Sequence, residues 1–71
     1  MKIDGATSRV LAFLASQTYP MAIGAIHAHC QCSMHEVVGA LSALRRDGSA
    51  IEVAAGWGAT IRGRARSRGA S

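Results

Sequence analysis

Five residues within a nine-residue stretch carry the most reactive side chains of this chain: His27, His29, Cys30, Cys32 and His35. Imidazoles and thiolates are preferred zinc ligands, and a thiolate is also a nucleophile and a redox centre. The spacing argues against both uses. Zinc ligands usually come as two pairs, each separated by about two to four residues. Here a single Cys-x-Cys stands among histidines, and no Lys or Arg adjoins either thiol in sequence to activate it. The expectation is two reduced, metal-free cysteines. No metal and no cofactor is expected.

Arginine supplies the second kind of chemistry. Eight basic residues against four acidic ones give a net charge of +4 and a pI near 10.1. Arg62, Arg64, Arg66 and Arg68 fall within the last ten residues. Such a balance favours anionic partners, nucleic acid first and an anionic membrane surface second. Residues 63–71 hold arginines among Gly, Ala and Ser with nothing apolar to bury, so they are expected to form a flexible basic tail. The plain alternative is a solubilising tail without a partner. Catalysis is not expected, because the chain has no glycine-rich phosphate loop, no nucleophile motif and no convincing carboxylate pair.

The elements that must position these residues follow from periodicity. Val10, Leu11, Phe13 and Leu14 suit an amphipathic helix from about Ala6 to Gln17, with Asp4 or Thr7 as its cap and Tyr19-Pro20 as its end. Ile23, Ile26 and Cys30 suit a short second helix over Met21 to Cys30, although Gly24 weakens it. Ser33 followed by Glu36 is a capping-box pattern. Behind it, Val37, Leu41 and Leu44 form a buried stripe, Arg45 and Arg46 oppose the helix dipole, and Gly48 ends the helix. After Gly48 the period changes to two. Ile51-Glu52-Val53 and Thr60-Ile61-Arg62 are expected as hairpin strands around a Gly56-Trp57-Gly58 loop. Trp57 suits either a wing tip or, more often for a lone tryptophan, the core or an interface.

These 71 residues suffice for one domain. Fourteen of the 35 hydrophobic residues are alanine, so a small core is expected, helped by a homodimer. The longest nearly apolar run, Met21 to Ala28, is far short of the roughly 20 residues of a membrane span. No secretory leader pattern opens the chain, and Cys-x-Cys cannot staple distant elements, so a reducing, cytoplasmic setting is expected.

Three helices, a tight turn before the third, and a terminal hairpin resemble a winged helix-turn-helix domain. Ile26 through Gly48 resembles the stretch shared by regulators of that fold, matched at Ile26, Cys30, Cys32, Ser33, Val37, Leu44 and Gly48. It departs from the pattern at Gln31, where the turn normally has Gly, and at His27, where an Ala is usual. The resemblance implies an α+β fold over residues 1–62, with residues 63–71 as the tail. Its size would suit a regulator carried by a phage or mobile element.

With Val37, Leu41 and Leu44 facing inward, the opposite face of the third helix holds His35, Gly39, Ser42 and Arg46, with Val38 and Arg45 on one shoulder. In a DNA-reading winged helix this face enters the major groove. Arg pairs with guanine, Ser with several base edges, and Val with a thymine methyl. Arg62, Arg64, Arg66 and Arg68 would add phosphate contacts. The expected function is sequence-specific binding of double-stranded DNA in transcription regulation. The rival is a winged-helix module that binds another protein through the same helix face.

Overall fold

The computed structural model describes residues 5–69. Helices α1 (Gly5–Ser16), α2 (Ile23–Cys30) and α3 (Met34–Asp47) are followed by strands β1 (Ala50–Val53) and β2 (Gly56–Ala59) and then by α4 (Ile61–Gly69). This is a small α+β winged helix-turn-helix layout, with one helix beyond the expected three. The capping call on Asp4 lies outside the described residues. Thr7 lies inside the first turns of α1, where it is 9% exposed.

α1 is the hub of the packing and touches α2, α3, α4 and β2. Val10, Leu14, Ile26, Val37, Leu41 and Leu44 are each at most 1% exposed and form the centre of the core. Each such side chain stabilises the fold by about 1.5–3 kcal/mol relative to its exposed state. α3 forms as its signals dictate. The Ser33 hydroxyl accepts from the Glu36 N–H at 3.1 Å, and Glu36 Oε1 accepts from the Ser33 N–H at 3.0 Å. Gly48 closes the helix in the left-handed region at φ 83°. The turn between α2 and α3 does the same through Gln31, at φ 56°, in the place where glycine is usual. Positive φ costs a side chain something, but Gln31 points into solvent and fits.

Three expectations are corrected. Met21 does not start α2; it pairs with Trp57 through two backbone hydrogen bonds of 2.8 Å, which makes it a third, one-residue strand beside β2. Gly56-Trp57-Gly58 is strand rather than loop, with Val53 opposite Gly56 and Glu52 opposite Trp57. Glycine is required there: a Cβ on Gly56 would sit 2.5 Å from the Met21 carbonyl oxygen. Trp57 is thereby half-buried and packs against the core, not at a wing tip.

The third correction concerns the chain end. Residues 61–69 form α4, which crosses the domain boundary expected after residue 62 and replaces most of the expected flexible tail. Thr60 starts it, accepting from the Gly63 N–H at 3.0 Å and donating to the Gly48 carbonyl at 2.6 Å. Gly63 lets the first turn close onto the backbone of Ser49, since a Cβ there would lie 2.0 Å from the Ser49 oxygen. Ile61, expected on a strand, is 89% exposed. α4 therefore docks without apolar burial. Among the described residues no helix is long and apolar enough to cross a membrane.

Candidate nucleic-acid interface

Among the described residues nothing covers the outward face of α3. His35, Val38, Gly39, Ser42, Arg45 and Arg46 are all exposed, with Val38 at 46%. One shoulder of the helix looks towards the hairpin, because Arg45 Nη1 lies 3.8 Å from Glu52 Oε1. The other borders an open groove against the start of α1, lined by Thr7, Arg9, Cys32, His35, Gly39 and Ala43. The face expected from the helical wheel thus stands between two flanks, one on the wing and one on α1.

The arginines divide into two groups. Arg46 is exposed at the end of α3 and makes no ion pair within the described residues. Arg62, 68% exposed, lies beside Gly48 with Nη2 3.8 Å from Asp47 Oδ1. Arg45, Arg46 and Arg62 therefore surround the C-terminal end of α3. Arg62 reaches that place from the first turn of α4, not from a wing strand.

Arg64 and Arg66 turn inward. Arg64 donates from Nη1 to the Ala15 carbonyl at 2.6 Å and from Nη2 to the Gln17 carbonyl at 3.2 Å. These are orphan carbonyls at the end of α1, a helix with no basic residue in its own last turn. Arg66 forms an ion pair with Asp47 and donates to Ser49 Oγ at 3.0 Å, while the Ser49 hydroxyl donates to Asp47 Oδ2 at 2.5 Å. Both lie on α4 and are engaged within the fold, not on the flexible tail expected there. Arg68 is exposed, borders a groove with Ala12, Ala15 and Ser16, and has an interaction partner of its own.

Cys30 and Cys32 are free and 7% exposed each. Sequence reasoning found no cation beside them, but the fold supplies Arg9, whose Nη1 lies 3.9 Å from Cys32 Sγ and whose carbonyl oxygen lies 3.9 Å from Cys30 Sγ. Burial nonetheless pushes the Cys30 thiol above its ordinary value, with Cys32 adding to the rise and Arg9 opposing it. This is packing chemistry, not activation. His29 stacks on Phe13 with ring centroids 4.1 Å apart. Among the described residues no three His, Cys, Asp or Glu side chains gather closely enough to hold a metal ion.

Arg9 borders the candidate site and was missed by sequence reasoning. It lies 26 positions before His35 and shares a groove with it only through the packing of α1 on α3. Comparison with family models and with curated proteins finds no match to this chain. The functional argument therefore rests on the fold and on these side chains.

Proposed function

We propose that this chain is a winged helix-turn-helix regulator that binds double-stranded DNA in the cytoplasm, without a cofactor and without enzymatic activity. One observation carries the reading. Arg45, Arg46 and Arg62 stand exposed around the end of a helix whose outward face, His35, Val38, Gly39 and Ser42, is exposed among the described residues. Base contacts fall to Arg46, Ser42 and Val38, with His35 and Gly39 at the groove. Phosphate contacts fall to Arg45 and Arg62, joined by Arg68 and by Arg9 on the α1 flank. Glu36 is held by the capping box and Glu52 by Arg45, which limits their repulsion of phosphate.

The test is fluorescence anisotropy on a labelled random duplex over a range of salt. The expected result is binding that weakens by about 0.9 log units per log unit of salt for each phosphate neutralised. Absence of binding at low salt overturns the proposal. The protein-binding reading keeps one observation in its favour: Met34 and Val38, one turn apart on α3, are 43% and 46% exposed. It predicts affinity for a protein partner that Val38→Asp abolishes and salt barely changes.

A further inference from the structure

Charge is unevenly spread along this chain. Residues 10–35 contain no Asp, Glu, Lys or Arg, and neither do residues 53–61. The fold brings parts of both stretches together at the sheet. Cross-strand partners share a face, so Ala50, Ala59, Glu52 and Trp57 look towards the body of the protein, while Ile51, Val53, Gly56 and Gly58 look away from it. Ala50 is 3% exposed on the inner face; Ile51 and Val53 are 52% and 43% exposed on the outer.

That outer face has a particular relief. Ile51 and Val53 form a ridge along β1. Directly beside it, Gly58 leaves a slot on β2. A Cβ on Gly58 would meet nothing within 4 Å, so the slot is open there, whereas at Gly56 the Met21 backbone takes the place of a side chain and closes the slot. Past that wall the uncharged surface continues through residues 19–23, where Tyr19 is 78% and Ile23 37% exposed.

We propose that this face is the contact between two copies of the chain. Ridge and slot are neighbours at about 4.8 Å, so they are self-complementary. A two-fold axis in the interface, parallel to the strands and midway between β1 and β2, sets Ile51 over the open Gly58 of the second copy. The reverse contacts form by symmetry, which is what an isologous interface requires. Electrostatics selects the same partner. Two protomers of net charge +4 repel wherever arginines meet, and this face brings none together. Arg45 meets β1 at Glu52, on the opposite face of the hairpin. The inference stands independently of the DNA reading.

The experiment is sedimentation equilibrium of the full chain without DNA, across a wide concentration range, with four proteins. The wild type is expected to associate reversibly to a dimer. Gly58→Val fills the slot, Ile51→Lys charges the ridge, and Ile61→Lys removes an even more exposed apolar residue from α4. The first two are expected to raise the dissociation constant about tenfold or more; the third leaves it unchanged. Gly58 does not have positive φ and has open space around it, so valine suits the strand, and circular dichroism checks each fold. A wild type that is monomeric into the millimolar range overturns the proposal. So does a dimer that Ile61→Lys weakens while Ile51→Lys does not.

Discussion

Helix α3 reaches the surface with Arg45 and Arg46 directed away from the core, whereas α4 turns Arg64 and Arg66 back into the fold. The two helices differ equally in what holds them. α3 buries Val37, Ala40, Leu41 and Leu44 and is capped at both ends by its own sequence. α4 buries no large apolar side chain and is held by Thr60, by the close approach of Gly63 to Ser49, and by guanidinium contacts. A helix anchored by its apolar stripe does not need its arginines for docking and can keep them at the surface. A helix that lacks one must use its charges as anchors. The same residue type thus has opposite roles in two neighbouring helices.

The largest effect that tests this contrast is on the apolar anchor. Leu41→Ala leaves a hole in a core where the residue is 1% exposed and is expected to cost about 2–5 kcal/mol. In a domain this small that is enough to unfold most molecules at room temperature. Chemical denaturation reads it. A variant that melts within a few degrees of the parent would mean that α3 is not held by this stripe.

Next in size is the docking of α4. Gly63→Ala drives a methyl group into the Ser49 carbonyl and is expected to cost about 1–3 kcal/mol. Because α4 contributes no large apolar burial, the loss should appear as release of α4, with α1 to β2 retained. Hydrogen exchange would locate it. Faster exchange confined to residues 61–69 supports a helix held by polar contacts; uniform acceleration along the chain contradicts it.

The difference between these helices also explains what was legible in the sequence. α3 was readable because each signal lies within it or next to it: Ser33 with Glu36, the stripe, and Gly48. The core followed from the same periodicity. β2 and α4 were not readable, because their reasons lie elsewhere in the chain. Gly56-Trp57-Gly58 looks like a loop until Met21 is beside it, and Ile61-to-Gly69 has no apolar period at all. The candidate site divides along the same line. His35, Val38, Gly39, Ser42, Arg45 and Arg46 lie on the expected face, but only the fold shows that Arg64 holds the end of α1 and that Arg9 borders α3.

Exchanging the roles of two arginines sharpens the contrast further. Arg46→Ala is expected to leave stability within about 0.5 kcal/mol, as for an ordinary surface change. It should weaken binding to a preferred duplex by about 1–3 kcal/mol and random duplex little. Arg64→Ala should do the reverse. Loss of two charge-assisted hydrogen bonds is expected to cost about 1 kcal/mol once partial exposure is allowed for, while the salt slope of DNA binding stays unchanged. Melting curves and salt titrations on both variants decide it. Equal effects of the two substitutions on DNA binding would remove the distinction between outward and inward arginines.

The smallest expected effect lies at the approach to each helix. α4 starts on ionic and polar contacts, while α3 follows a turn packed on two buried thiols, so alkali should separate them. Burial raises the Cys30 thiol above its ordinary value of 9.0. In the unfolded chain the thiol ionises near that ordinary value; in the native protein it keeps its proton to higher pH. Above the ordinary value the unfolded state therefore binds fewer protons than the native one, and the linkage slope is negative. The contribution of Cys30 is fully present below pH 9.0 and is lost as pH rises through the native value. Denaturation measured from neutral pH upward should show stability flat at first and then falling. Cys30→Val, which keeps an apolar group in the site, should remove that part of the fall while Arg66→Ala leaves it in place. If the valine variant loses stability with pH as steeply as the parent, the turn before α3 does not depend on a neutral thiol.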